Sequence, residues 1–404
     1  MSTTISTRRA ALTPTVIGGF IGSGVISLIA ANFVPVFISG LTNDLGFSLG
    51  TAGLIATGLS LASVVSMWIA NLFVARRSRP VLAGIGTGFM VLGFGLAALF
   101  YSPAVVPAGL IVAGLGCGIM GAASVAAVSS TLNPDRSTTV VALINRVAVS
   151  ALFLLAPIFF NDLRQVFVVL TFLGLVGAVL VRGLPNAPKE LITSSSLPAA
   201  NAARIRPIGV VLAAAFGLWS LTEDMVYSLT SAVFGVHAGL SPDVSTSVLA
   251  YKVLGGLLGT IIAPFVLRKL GRTTAIVLIV IISTVSKFLL VTAENPALYV
   301  VSLVIWGVVY LTVVVLVLGL AANMDISGRT GVFVNSFYVI GIACGPMIAG
   351  ALQPQMSFAS YAVLDCAVAA VAGAVIAMVS HREEARVRAE ADGLSATARH
   401  PETI

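Results

Sequence analysis

Charge is what this chain has least of: Asp, Glu, Lys and Arg together make up 9% of its 404 residues, where a soluble globular domain carries about 25%. Apolar residues make up 58%, more than a water-soluble fold hides, so lipid is the solvent that suits the chain. The three cysteines, Cys117, Cys344 and Cys366, are odd in number and scattered inside apolar runs, which excludes a disulfide framework and leaves them as small apolar packers. The three histidines, His237, His381 and His400, sit at the ends of runs or in the tail, so no metal site or histidine proton relay is expected at membrane depth. No phosphate-cradling glycine loop with its lysine is present, which leaves ATP drive unsupported. No nucleophile with a base and no metal-spaced cluster lies at depth, so neither an enzyme nor a cofactor is expected.

What is there in quantity is long apolar sequence. Backbone groups in lipid must be satisfied internally, which leaves helices or a closed barrel. The runs are continuous rather than alternating, and that excludes the barrel. Crossing the hydrocarbon takes about 20 helical residues, and twelve runs qualify: 15–39, 50–74, 80–101, 104–131, 137–160, 164–182, 208–236, 244–267, 273–293, 297–322, 330–353 and 357–380. The first is too long and too rich in glycine for a cleavable signal segment, so it is kept as helix 1. Loops between runs are short, except for the Pro/Ser/Ala-rich stretch 183–207, which reads as a linker. The expected fold is an all-α integral membrane protein: a six-helix bundle (1–182), a linker (183–207), a second six-helix bundle (208–380) and a tail (381–404), with a cavity between the bundles.

Of 22 basic residues, 18 fall on the terminal side of a twelve-helix zigzag, against Arg164 alone in the opposite loops. By the positive-inside rule both termini are cytoplasmic, in a plasma (inner) membrane crossed many times. The net charge of +7 is then membrane orientation and not a nucleic-acid footprint. The tail segment HREEARVR, from His381 to Arg388, reads as a solvated helix supported by Glu384 and Arg388 at i,i+4.

The halves repeat. Phe73-Val74-Ala75-Arg76-Arg77-Ser78-Arg79 follows helix 2, and Phe265-Val266-Leu267-Arg268-Lys269-Leu270-Gly271-Arg272 follows helix 8. Repeated halves on a cytoplasmic linker mark transporters that rock one bundle against the other around a midplane site. On this loop and the twelve helices, the chain resembles the major facilitator superfamily. The family's loop signature is glycine, a spaced aspartate, then arginine, glycine and a basic residue; Arg268, Gly271 and Arg272 match it, whereas Ala263 and Leu267 replace the first glycine and the aspartate. The first copy, with Asn71, Ala75, Arg76 and Arg79, matches less. The resemblance implies gating loops at Arg76, Arg77, Arg268, Lys269 and Arg272, without the acidic latch. Helix 11 carries Gly341-Ile342-Ala343-Cys344-Gly345-Pro346, similar to an element that exporters of the family show in helix 5; here helix 5 has only Ala156-Pro157, so packing and a hinge are its expected roles. The position of a helix-4 arginine in drug exporters is Leu110, which argues against standard proton/drug antiport.

Four groups at depth could carry charge: Arg146 in helix 5, Glu223 and Asp224 in helix 7, and Lys252 in helix 8. A charge at the bilayer centre costs roughly 2.5–3.5 kcal/mol on insertion scales, so such residues are functional candidates. Neighbours on a helix point about 100° apart, so Glu223 and Asp224 cannot face one partner. Glu223 shares its stripe with Trp219, Tyr227 and Thr230, and Asp224 with Ser220, Ser228 and Ser231. Glu223 is therefore expected to carry the proton or face substrate, with hydroxyls satisfying Asp224; the bland alternative is a static pair with Lys252 that ties helix 7 to helix 8. Arg146, after Asn145, keeps its charge and suits a carboxylate or phosphate; its alternative partners are backbone carbonyls or an acid from the other half. Lys252 is expected as the switching counter-ion for helix 7, with a reach toward the outer interface as its alternative; Lys287 is expected to snorkel outward, and Asp365 to lie on a peripheral helix 12, as the resemblance implies. Asn32, Ser60, Ser63, Trp306, Tyr310, Asn335 and Tyr338 are candidates to line the cavity.

The expectation is a secondary transporter, a monomer in the bilayer, moving a small organic anion with protons. Efflux of amphipathic or aromatic compounds, with Trp219 and Tyr227 stacking on them, is the alternative.

Overall fold

The computed structural model describes residues 10–74, 77–128, 130–132, 134–159, 162–186, 206–324 and 329–399. Among these, twelve helices are long and apolar enough to cross a membrane, and there is no strand. We number them α1 (Pro14–Asn32), α2 (Leu49–Asn71), α3 (Arg79–Leu99), α4 (Val106–Val128), α5 (Pro134–Leu154), α6 (Leu163–Leu180), α7 (Pro207–Leu229), α8 (Pro242–Leu270), α9 (Arg272–Val291), α10 (Pro296–Asn323), α11 (Arg329–Leu352) and α12 (Phe358–Arg399). Residues 187–205 of the linker and Arg76 of the loop after α2, an expected gating residue, lie outside the described residues.

Short side chains set where several helices begin. Thr13, Ser48, Asp162, Ser241 and Asn295 each accept a backbone N–H of the first turn, of α1, α2, α6, α8 and α10 respectively. Three of these caps are followed at once by proline, Pro14, Pro242 and Pro296, whose missing N–H costs nothing in a first turn. Helix 1 differs from its expectation as one rod over 15–39: it contains a π segment, Ile21–Val25, and is interrupted at Phe33 before continuing as Val34–Asn43. Pro35 supplies no N–H to the ladder there, which accounts for the break.

In lipid, association rests on close backbone approach rather than on expelling water, so small residues mark the seams. Within the first bundle, a Cβ on Gly93 would strike Ala113 and Gly109 of α4, and one on Gly118 would strike the Ser63 carbonyl of α2. Within the second, a Cβ on Gly259 would strike the Val308 carbonyl of α10, and one on Gly341 the Gly217 carbonyl of α7.

The two bundles meet through α2 with α11, α5 with α8, and the Val34–Asn43 continuation of helix 1 with α7. Contacts across this junction lie in the half remote from the termini. The Gly350 position packs on the Leu49 backbone, Gly53 on the Pro346 carbonyl, Ser150 Oγ donates to the Ala250 carbonyl at 3.5 Å, and Tyr227 donates to the Asn32 carbonyl at 2.7 Å. Near Pro346, whose ring interrupts the α11 ladder, the Met347 N–H donates across the junction to Thr57 Oγ1 at 3.0 Å. The Gly-Pro element of α11 thus packs on α7 along one face and on α2 along the other.

The internal repeat is visible as a shared cap. Asn186 Oδ1, just beyond α6, accepts from Arg79 N at 3.0 Å and closes the start of α3. Glu384 Oε1, on α12, accepts from Arg272 N at 3.1 Å and Thr273 N at 3.3 Å and closes the start of α9. The tail is not merely a solvated face: α12 runs on to Arg399, and Glu383, 5% exposed, pairs with Arg206 at 2.9 Å and Arg386 at 3.0 Å. Glu384 serves the α9 cap, while the side chain of Arg388 lies outside the description.

Candidate functional site

Between the bundles lies a cavity of about 600 Å³. On the first-bundle side its wall comes from α2 between Leu59 and Met67, α4 between Cys117 and Val128, and α5 between Thr138 and Arg146. These are the halves of the helices nearer the termini, so the cavity runs from mid-depth toward the terminal side while the remote side is closed by the junction. The wall is mostly apolar, and its charged members are Arg146, Glu223, Asp224 and Lys252.

The two carboxylates of α7 have different environments, and the hydroxyls expected to satisfy Asp224 do not do so. Glu223 is 2% exposed and fully engaged: Oε1 accepts from Ser283 Oγ at 3.3 Å and lies 3.1 Å from Lys287 Nζ, and Oε2 accepts from the Trp306 indole. Asp224 lines the cavity and accepts no hydrogen bond from any described residue. The serines on its stripe serve others: Ser220 donates to the Gly217 and Tyr338 carbonyls, Ser228 to the Met225 carbonyl, and Ser231 bonds Thr246. A glycine fixes this face of α7, since a Cβ on Gly345 would lie 2.7 Å from the Asp224 Cβ.

Lys252 forms no ion pair within 4.0 Å with a described carboxylate, although its charge acts on Glu223 and Asp224. Its ammonium lies over the rings of Tyr227 at 3.6 Å, Trp306 at 3.9 Å and Tyr310 at 5.2 Å, a cation–π arrangement. The backbone approach is set by Gly307, whose Cβ would collide with the Lys252 carbonyl, and this puts Trp306 beneath the lysine. The ion-pair partner of Glu223 is Lys287, which does not snorkel: it is 1% exposed, bridges Glu223 and Asp365 (2.8 Å), and donates to Thr222 Oγ1 at 3.2 Å. Asp365 is likewise 1% exposed and joins α12 to this cluster.

Arg146 has no hydrogen-bond or ion-pair partner among the described residues and faces the cavity. Asn145 turns away from it, donating to the Val25 carbonyl at 3.2 Å and holding α5 against α1. Trp219 is fully buried and does not line the cavity; it stacks between Phe216 at 5.6 Å and Tyr310 at 5.7 Å. Asn32, Ser60, Ser63, Tyr227, Tyr310 and Tyr338 line the wall, with the Tyr310 and Tyr338 hydroxyls 2.5 Å apart. Asn335 is exposed on α11 and is not part of the wall. In the loops after α2 and α8, Arg77, Arg268 and Lys269 are exposed, Arg268 lies 5.0 Å from the Phe265 ring, and Arg272 contributes its backbone N–H to the α9 cap.

Lys287 and Asp365 had a readable signal: each lies one to two turns from the remote end of its helix, hence at one depth. Their helical faces could not be read from depth alone.

The sequence model of the Major Facilitator Superfamily matches residues 19–325, well over half of the chain. The chain belongs to this superfamily. Solved structures agree on the fold. The nucleoside transporter NupG aligns with a TM-score of 0.72 at 11% identity, covering 91% of this chain and 99% of its own. The POT family transporter PepTSo aligns at 0.69 with 13% identity, covering 92% and 98%. Identities this low establish the shared fold and nothing about the cargo. No curated protein matches by sequence. As a member of the superfamily the protein is a multi-pass membrane transporter of a small-molecule substrate.

Proposed function

We propose that this transporter moves a small organic anion together with a proton by alternating access. The observation that carries this reading is Arg146: a permanent cation on the cavity wall with no protein partner among the described residues, and so a site for a carboxylate or phosphate group. Charge balance argues for the proton. Arg146, Lys252 and Lys287 face or flank the cavity together with Glu223, Asp224 and Asp365, three cations against three carboxylates. An anion bound at Arg146 adds one negative charge to a poorly solvated layer, which is costly to move. A proton on Asp224, the carboxylate without a donor, restores neutrality. In this reading Asp224, not Glu223, carries the proton, and the bundles 1–182 and 208–380 rock as units about the junction. The charge asymmetry of the loops supports cytoplasmic termini in a plasma membrane, which makes the observed cavity inward-facing.

Efflux of amphipathic or aromatic compounds keeps some support from the apolar wall and its tyrosines, but the aromatic surface best suited to a cation is already occupied by Lys252. The test is thermal-shift screening of the purified protein against organic acids, sugars and cationic drugs, followed by Arg146→Lys. Stabilisation by an acid that Arg146→Lys weakens at least about tenfold, the scale of a lost charge-assisted bond, is expected. Stabilisation by cationic drugs alone would overturn the reading.

A further inference from the structure

Tyr227, Trp306 and Tyr310 surround the Lys252 ammonium on three sides, from α7 and α10, with α8 supplying the cation. Each ring is anchored by something other than Lys252. Tyr227 donates to the Asn32 carbonyl, Trp306 donates its indole N–H to Glu223, and Tyr310 shares a hydrogen bond with Tyr338 while stacking on Trp219. The cage is therefore built into the bundle and does not depend on its occupant. A carboxylate at the indole N–H edge also favours electron density on the ring face, where the cation sits. Asp224 adds an acidic group on the same cavity wall. Three aromatic faces beside a carboxylate form the chemistry that recognises alkylammonium ions.

We propose that Lys252 is a tethered occupant of an alkylammonium site, and that by filling the cage it sets the specificity of the cavity against organic cations. A primary ammonium on a fixed stem competes with a free cation at very high effective concentration, so ligands bearing a quaternary or protonated amine find the cage closed. The inference rests on reading this cavity as the substrate site, and it deepens the anion reading by naming the residue that rejects the opposite charge. It does not require that an anion be transported.

The experiment uses the full-length protein in detergent and tetramethylammonium chloride as the probe, with sodium chloride at equal ionic strength as control. Binding is read by intrinsic tryptophan fluorescence and calorimetry. Lys252→Ala should bind the probe at least about tenfold more tightly than the unmodified protein, the scale of a desolvated cation–π contact. Adding Trp306→Leu should remove that gain. Lys252→Arg, which refills the cage with another cation, should bind no better than the unmodified protein. Lys252→Gln is made alongside, so that a folded uncharged variant is at hand if the alanine protein aggregates, and it should show the same direction of change. A monodisperse uncharged variant with no gain in affinity would overturn the proposal, as would equal binding by the unmodified protein. Neither result bears on Arg146, so loss of this inference and loss of the anion reading are separate outcomes.

Discussion

The Lys287 ammonium on α9 stands 3.1 Å from the Glu223 carboxylate on α7, with both side chains almost completely buried. Because the same nitrogen also lies 2.8 Å from Asp365, one cation ties α7, α9 and α12 behind the cavity wall. Removing one partner from such a buried cluster leaves charge uncompensated.

Lys287→Met is accordingly expected to destabilise the protein by about 3–5 kcal/mol. Adding Asp365→Asn removes one of the orphaned charges and should recover part of the loss. Thermal unfolding in detergent measures both. Equal melting temperatures for the single variant and the unmodified protein would show that the cluster does not hold the second bundle together.

The seal on the remote side depends on a glycine. A Cβ at Gly53 would run into the Pro346 carbonyl, so Gly53→Val should hold the junction of α2 and α11 apart. Maleimide labelling of a cysteine placed at Leu49 should then become faster. Unchanged labelling would mean that this contact does not close the remote side.

The repeated caps predict matched losses. Asn186→Ala removes the acceptor for Arg79 N, and Glu384→Ala the acceptor for Arg272 N and Thr273 N. Each should lower stability by about 0.5–2 kcal/mol, as for other lost caps. Glu384→Gln, which keeps an acceptor oxygen, should lose less than Glu384→Ala; equal losses would argue against the cap.

Most of the fold could be read from the chain because lipid allows few solutions: twelve apolar runs with basic residues on one side leave little choice of topology. The site was readable only in part. Sequence placed Arg146, Asp224 and Lys252 at depth, but their partners depend on helix rotation, which is fixed by small residues at distant contacts. Gly307 seats Trp306 under Lys252, and Gly345 packs against Asp224. The stripe shared by Glu223, Trp219 and Tyr227 was correct as helical geometry, yet it faces the bundle interior at Trp219 and the cavity at Tyr227. A stripe alone does not say which neighbour covers it. Depth on α9 alone points Lys287 outward, because it is α12 that supplies Asp365 at the same depth.

In the proposed mechanism Asp224 couples proton movement to an anion held at Arg146. Proteoliposomes containing Asp224→Asn, assayed with an acid identified by screening, test it most directly. The variant should exchange labelled for unlabelled substrate as the unmodified protein does, yet should fail to accumulate substrate when only a pH gradient is imposed. Accumulation driven by the pH gradient at the unmodified rate would contradict the account.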